Sequence, residues 1–281
     1  MSNESPASAL ADLFGLASSA PAPSQVKLTD SPVENLTAGR ESMAAGQFDA
    51  AIEQFRRAAQ QGSAEAVAEL GMAYSAAEEL PLAYAQYLRV LKSDRNGELL
   101  VGVSDILKRS GRMRDAVAQI QQAIEAEPTT PLHHYKLAEA LLEMGERKKA
   151  LAAVENAILI APETAHFHFF MGELLFRMAR FDEALGAYRA AIELSPGDDY
   201  YYLRTALAFW KAGKPTEAVK SAQLASDLNP SEDLYPALIA LLLEEDGKID
   251  EAITAQDRAK KLDRYDEERL SRIMAELGIE P

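Results

Sequence analysis

The chain has no cysteine, one tryptophan and four histidines in 281 residues. Without cysteine there can be no disulfide, no zinc–thiolate site and no thiol nucleophile. That absence suits a reducing compartment, and a cytoplasmic location is expected. Long apolar runs are also missing. A stretch such as "LYPALIALLL" at 234–243 falls well short of the roughly 20 residues that a helix needs to cross a bilayer. The opening "MSNESPASAL" lacks a basic region followed by an apolar one, so no secretory signal is expected. Positive charge is scarce, because 29 Lys and Arg stand against 44 Asp and Glu, a formal net charge of −15. A diffuse acidic surface repels phosphate backbones and anionic headgroups, which leaves nucleic acid and membrane as poor partners.

Chemical signatures are missing as well. No Gly-rich phosphate loop, no G-x-S-x-G and no H-E-x-x-H occurs in the sequence. The histidines are His133, His134, His166 and His168. Neighbours one or two apart on a helix point to different faces, so no converging pair of metal ligands is expected. The adjacent carboxylates Glu78 and Glu79, Asp198 and Asp199, and Glu244 and Glu245 fail as acid–base pairs for the same geometric reason. No catalytic residue, metal or cofactor is therefore expected.

Residues 1–30 differ in composition from the rest. "SSAPAPS" has the character of a flexible linker, and the segment is expected to be disordered. Within it, Leu10, Leu13, Phe14 and Ala17 share the i, i+3, i+4, i+7 spacing of one helix face, over about two turns. From about residue 31 the pattern is helical and repeats. The turn residues Gly111, Gly145, Ala179, Gly213 and Gly247 are each 34 residues apart, and Ala116, Ala150, Ala184, Ala218 and Ala252 follow five residues after each. Pro128, Pro162, Pro196 and Pro230 close units at the same spacing. A unit of this kind is two antiparallel helices: glycine permits the turn, alanine permits close approach and proline ends the second helix. One pair cannot bury its apolar face alone, so stacked neighbours must bury it.

These residues resemble the tetratricopeptide repeat, with its small columns and closing proline. Counting from the start of each first helix, position 8 is Gly39, Gly71, Ser104, Ala138, Gly172, Ala206 and Ala240. Position 20 is Ala51, Ala83, Ala116, Ala150, Ala184, Ala218 and Ala252, and position 27 is Ala58, Val90, Ala123, Ala157, Ala191, Ala225 and Ala259. The resemblance implies an all-α, right-handed α-solenoid of about seven helix pairs over 31–264. Residues 265–281 would then form a capping helix and tail whose apolar stripe is Leu270, Ile273, Met274 and Leu277. Some units depart from the pattern. The second repeat has "EELPLA" in place of a glycine turn, Ser42 stands where a large residue is usual, and Ala222 and Gln256 replace bulky residues.

The resemblance also implies a concave groove lined by positions 2, 5, 6, 9, 12 and 13 of each first helix, and a role in binding proteins or peptides. In repeat 4 these positions include Tyr135, Lys136 and Glu139. In repeat 5 they include His166, Phe169, Phe170, Glu173 and Arg177. In repeat 6 they include Tyr200, Leu203, Arg204, Leu207 and Trp210, and repeat 7 adds Leu238. Large apolar residues beyond those needed for packing, rimmed by charge, mark a binding surface. The groove of repeats 4–7 is thus expected to hold an apolar or amphipathic segment. The first three repeats present Glu65, Glu69, Glu98, Asp105, Lys108 and Arg109 there, and weaker binding is expected. The basic and Asn residues with which chaperone-binding members of the family clamp a C-terminal carboxylate are missing, since position 5 is never basic and no Asn stands at 6 or 9.

In the "DDYYYLRTALAFW" stretch at 198–210, Asp198 and Asp199 start the helix, Tyr202 and Phe209 fall on packing positions and are expected to be ordinary core, and Tyr201 is expected to be lateral or partly exposed. Two other readings remain open. The 9–17 segment could occupy the chain's own groove or that of a second copy, giving a regulated or homo-oligomeric module. An RNA-binding helical repeat would stack bases on the same aromatics, against the charge.

Overall fold

A computed structural model of the chain describes residue 29 and residues 31–91, 97–261 and 267–277. The 9–17 segment lies outside these. Among the described residues there are fifteen helices and no strand. Seven successive pairs are α1 (Pro32–Ala44) with α2 (Phe48–Gln60), α3 (Ala64–Ala76) with α4 (Leu80–Leu91), α5 (Gly97–Arg109) with α6 (Met113–Ala126), α7 (Pro131–Glu143) with α8 (Arg147–Ile160), α9 (Ala165–Arg177) with α10 (Phe181–Leu194), α11 (Asp199–Lys211) with α12 (Pro215–Leu228), and α13 (Leu234–Glu245) with α14 (Ile249–Lys260). A single helix, α15 (Glu267–Leu277), follows. The chain divides into two compact units, Met1–Ala140 and Leu141–Pro281, with the boundary inside α7.

Within each unit the packing is sequential. In the first, each helix from α1 to α6 packs against the next, and in the second the same holds from α8 to α14. Small residues sit where helices cross closely. Ala51, Ala83, Ala116, Ala150, Ala184 and Ala218 are wholly buried, as are Ala58, Ala123, Ala157, Ala191 and Ala225. Position 8 is tighter still. A Cβ added to Gly172 would lie 2.5 Å from the Tyr188 ring, and one added to Gly39 would clash with the edge of the Phe55 ring. Each of these glycines is the space that its neighbour's aromatic ring fills.

The turns inside the pairs share one cap. The second residue after the helix takes a left-handed conformation, and the next N–H reaches back to a carbonyl five residues earlier, as in Lys214 N to Phe209 O (2.9 Å) and Lys248 N to Leu243 O (2.8 Å). This closure satisfies carbonyls that the helix end leaves open. Glycine fills the left-handed position in five of the seven turns: Gly46, Gly111, Gly145, Gly213 and Gly247. Ala179 (φ 58°) and Glu78 (φ 63°) hold it in the other two, so the "EELPLA" repeat keeps the turn without the glycine. A side chain there costs about 1–2 kcal/mol, and the equivalent glycines have open space around their Cβ positions. Ala179→Gly is therefore expected to stabilise the chain by about 1 kcal/mol. Urea denaturation followed by circular dichroism checks this; an unchanged or lowered midpoint would contradict it.

The residue four places into a first helix ties down the end of the preceding repeat. His134 Nε2 lies 3.0 Å from the Pro128 carbonyl, His168 Nε2 lies 2.7 Å from that of Pro162, and the Tyr202 hydroxyl donates to that of Pro196 at 3.3 Å. The same 34-residue spacing that places the prolines places their partners. His134 and His168 are thus structural links between consecutive repeats. Among the described residues no group of three histidines or carboxylates is placed to hold a metal ion.

Candidate protein-binding face

In the second unit, α9 and α11 carry the aromatic cluster. Phe169 is its centre. Its ring stacks on Tyr201 (4.7 Å, 20°) and lies against Tyr200 (5.6 Å) and Tyr188 (5.7 Å) in tilted geometry. Such arrangements suit ring quadrupoles better than a face-to-face sandwich does. Tyr201 differs from the expectation. It is buried rather than lateral, because Phe169 of the preceding repeat covers it. Tyr202 and Phe209 are half-buried rather than fully core, and Tyr202 turns its hydroxyl to the Pro196 carbonyl at the rim. Asp198 does cap α11, its carboxylate accepting from the Tyr200 N–H at 3.1 Å. Asp199 reaches instead into the last repeats, accepting from Asn229 Nδ2 (3.1 Å) and from the Tyr235 hydroxyl.

Beside the aromatic cluster lies a buried polar network. Glu173 accepts from Arg204 Nε (2.7 Å) and from the Tyr188 hydroxyl (2.5 Å). The Arg204 guanidinium also sits 4.9 Å over the Phe176 ring, an arrangement that attracts a cation to the ring face. Burial, with Glu173 close by, pushes the Tyr188 phenol far above its ordinary pKa, so it remains a hydrogen-bond donor throughout the working range. Sequence placed Glu173 and Arg204 on the same face; the structure joins them across two repeats into one fixed pair.

The remaining expected residues fall into two groups. His166, Arg177 and Tyr200 are exposed, and Phe169, Phe170, Glu173 and Trp210 are half-buried. Leu203, Arg204, Leu207 and Leu238 are buried. Tyr135, Lys136 and Glu139 belong to the first unit. There Glu139 accepts from the Tyr135 hydroxyl (2.9 Å) and pairs with Lys136 Nζ (2.9 Å). Burial and Glu139 together push the Tyr135 phenol upward. The corresponding face of the first repeats is ionic: Arg40 bridges Glu65 (2.5 Å) and Glu69 (2.8 Å).

The last helix, expected as a cap on the final repeat, also touches the repeat before it. α15 does not stop at the last repeat. It packs against α13 and, one repeat back, against α11, the first helices of repeats 7 and 6. α11 and α13 are themselves buried through their middle turns, at Tyr201, from Leu203 to Ala208 and from Leu234 to Ala240. The signal was already present in "LYPALIALLL". A helix that is apolar all round is a buried helix, and a first helix at the end of an array can be buried on that side only if something covers it.

Helix pairs with small columns, left-handed caps and sequential packing define a helical-repeat protein. The family model for the tetratricopeptide repeat matches residues 36–98, 104–159, 135–199, 169–233 and 203–267, and the chain belongs to that family. Solved structures agree on the fold. A tetratricopeptide repeat protein from Parabacteroides merdae is 13% identical with a TM-score of 0.61, over 89% of this chain and 100% of that one. MamA from Desulfovibrio magneticus RS-1 is 20% identical with a TM-score of 0.54, over 60% and 95%. YrrB, described as a TPR protein with an unusual peptide-binding site, is 15% identical with a TM-score of 0.53, over 63% and 91%. No curated protein matches the chain. No described helix is long and apolar enough to cross a membrane.

Proposed function

We propose that the chain is a non-enzymatic, cytoplasmic protein-interaction scaffold that holds an apolar or amphipathic segment of a partner protein on the face of α9 and α11. Membership of the tetratricopeptide repeat family supports the scaffold role. The observation that carries the finer reading is the aromatic cluster centred on Phe169. Tyr200 in it is 44% exposed and Phe169 and Phe170 are half-buried, although each helix pair already has its packing residues. Large aromatic side chains left in partial contact with water gain most from a partner that completes their burial. The exposed His166 and Arg177 at the rim supply polar contacts that orient the bound segment. In the first unit the repeat-4 residues add a polar contact of a different kind, the half-buried Lys136–Glu139 pair beside the buried Tyr135.

Phe170→Ala and Trp210→Ala test this reading. Each is expected to weaken capture of a partner identified by crosslinking and mass spectrometry by about 2 kcal/mol, roughly thirtyfold. The helical circular dichroism should be unchanged. Full capture by both variants would count against this face as the binding surface.

A further inference from the structure

We infer that α15 is an internal occupant of the binding face, seated on repeats 6 and 7 as a stand-in for a partner helix, and that an amphipathic helix with the same apolar spacing displaces it. The inference rests on the scaffold reading above and names both the partner's chemistry and its regulation.

Three observations lead there. First, α15 packs on α11 and α13, both first helices. A cap confined to the end of an array needs no contact one repeat back. Second, burial changes along the face where α15 lies. In repeat 5 the face residues Phe169, Phe170 and Glu173 are half-buried. At the same positions of repeats 6 and 7, Leu203, Arg204, Leu207, Ala237 and Leu238 are buried, and Leu241 alone is half-buried. Third, α15 is built as a ligand of the helix-in-groove type. Leu270, Ile273 and Met274 fall on one stripe, and Leu270 and Met274 are half-buried while Ile273 is only 8% exposed. Ser271, Arg272 and Ala275 face outward. This i, i+3, i+4 spacing is how an amphipathic helix anchors in an apolar groove.

α15 is also short, at 11 residues. A helix of that length is marginal in water by itself, so its folding depends on the surface beneath it. Only five residues, 262–266, separate it from α14 and Lys261 in sequence, so it stays at high effective concentration over the array. An external helix must compete with it, and its apparent affinity falls by the fraction of chains in which the face is open. The device sets a threshold: partners lacking the full stripe are excluded, and a matched one is admitted.

The test uses the full chain and a fluorescent synthetic peptide of residues 265–281. The Ile273→Asp, Met274→Asp double variant weakens α15 without touching the face. The peptide is expected to bind this variant at least about tenfold more tightly than the wild-type chain. A peptide carrying Ile273→Asp should bind neither. Equal affinity for both chains, or no binding to a variant that keeps its helical circular dichroism, overturns the inference and leaves α15 a permanent cap. Hydrogen exchange on the unaltered chain gives an independent reading should the variant misfold. Excess peptide is expected to speed amide exchange across 267–277, and unchanged exchange at saturating peptide overturns the inference. If the peptide arms fail while Phe170→Ala still weakens capture, displacement alone is wrong. If the peptide binds the opened chain while Phe170→Ala captures normally, the repeat-5 surface is wrong and the α15 seat stands.

Discussion

Arg204→Ala is expected to destabilise the second unit by about 3–5 kcal/mol, the range for breaking a buried ion pair from one side. The Arg204 side chain is 8% exposed and the Glu173 side chain 15%, so solvent screens neither. Removing the guanidinium takes away a charge-assisted hydrogen bond and a cation over the Phe176 ring, and leaves the Glu173 carboxylate accepting from the Tyr188 hydroxyl. Replacing both members, Arg204→Met with Glu173→Leu, is expected to recover most of the loss, because two packed apolar side chains need no partner. Hydrogen exchange resolved by helix is the appropriate measurement, since repeat arrays need not unfold as one cooperative unit. The loss should concentrate in α9 to α11. A single-variant cost below about 1 kcal/mol, the level of an exposed pair, would contradict a buried Glu173–Arg204 network.

Phe55→Ala is the second large effect, expected to cost about 3–5 kcal/mol in the first unit. Phe55 is wholly buried, and its ring fills the space that a Cβ on Gly39 would need. That geometry predicts a reversal. Gly39→Ala alone forces the ring out of place and destabilises the chain by about 1–3 kcal/mol. In the Phe55→Ala background the same substitution fills part of the cavity and improves helix propensity, and should recover about 1 kcal/mol. Urea denaturation of the four chains completes the cycle. Additive effects of the two substitutions would contradict the proposed exchange of space between position 8 and the neighbouring ring.

Most of the array was legible because its determinants are local. A glycine five residues before an alanine, or a small residue at position 8, acts within one helix pair, and each recurs often enough to be seen without a structure. The turn in the second repeat was less legible because left-handed backbone geometry can be imposed on Glu78 by the hydrogen bond that follows it. Tyr201 was misplaced because its burial depends on Phe169 in another repeat, which position within its own helix does not encode. The position of α15 was hidden for the same reason, at longer range. Its stripe of Leu270, Ile273 and Met274 identifies a helix that must pack, but not which helices receive it. The apolar run of α13 carried the missing half of that information.

The most direct measurement of the central claim is site-specific photocrosslinking in the full chain. A benzoylphenylalanine is placed at Phe170 on the aromatic face and, separately, at Leu159 on α8, which is 81% exposed. With the captured partner present, residue 170 is expected to crosslink to one apolar or amphipathic segment of that partner and residue 159 to give background. Equal crosslinking at both positions, or crosslinking at residue 159 alone, would show that the partner binds elsewhere on the repeats.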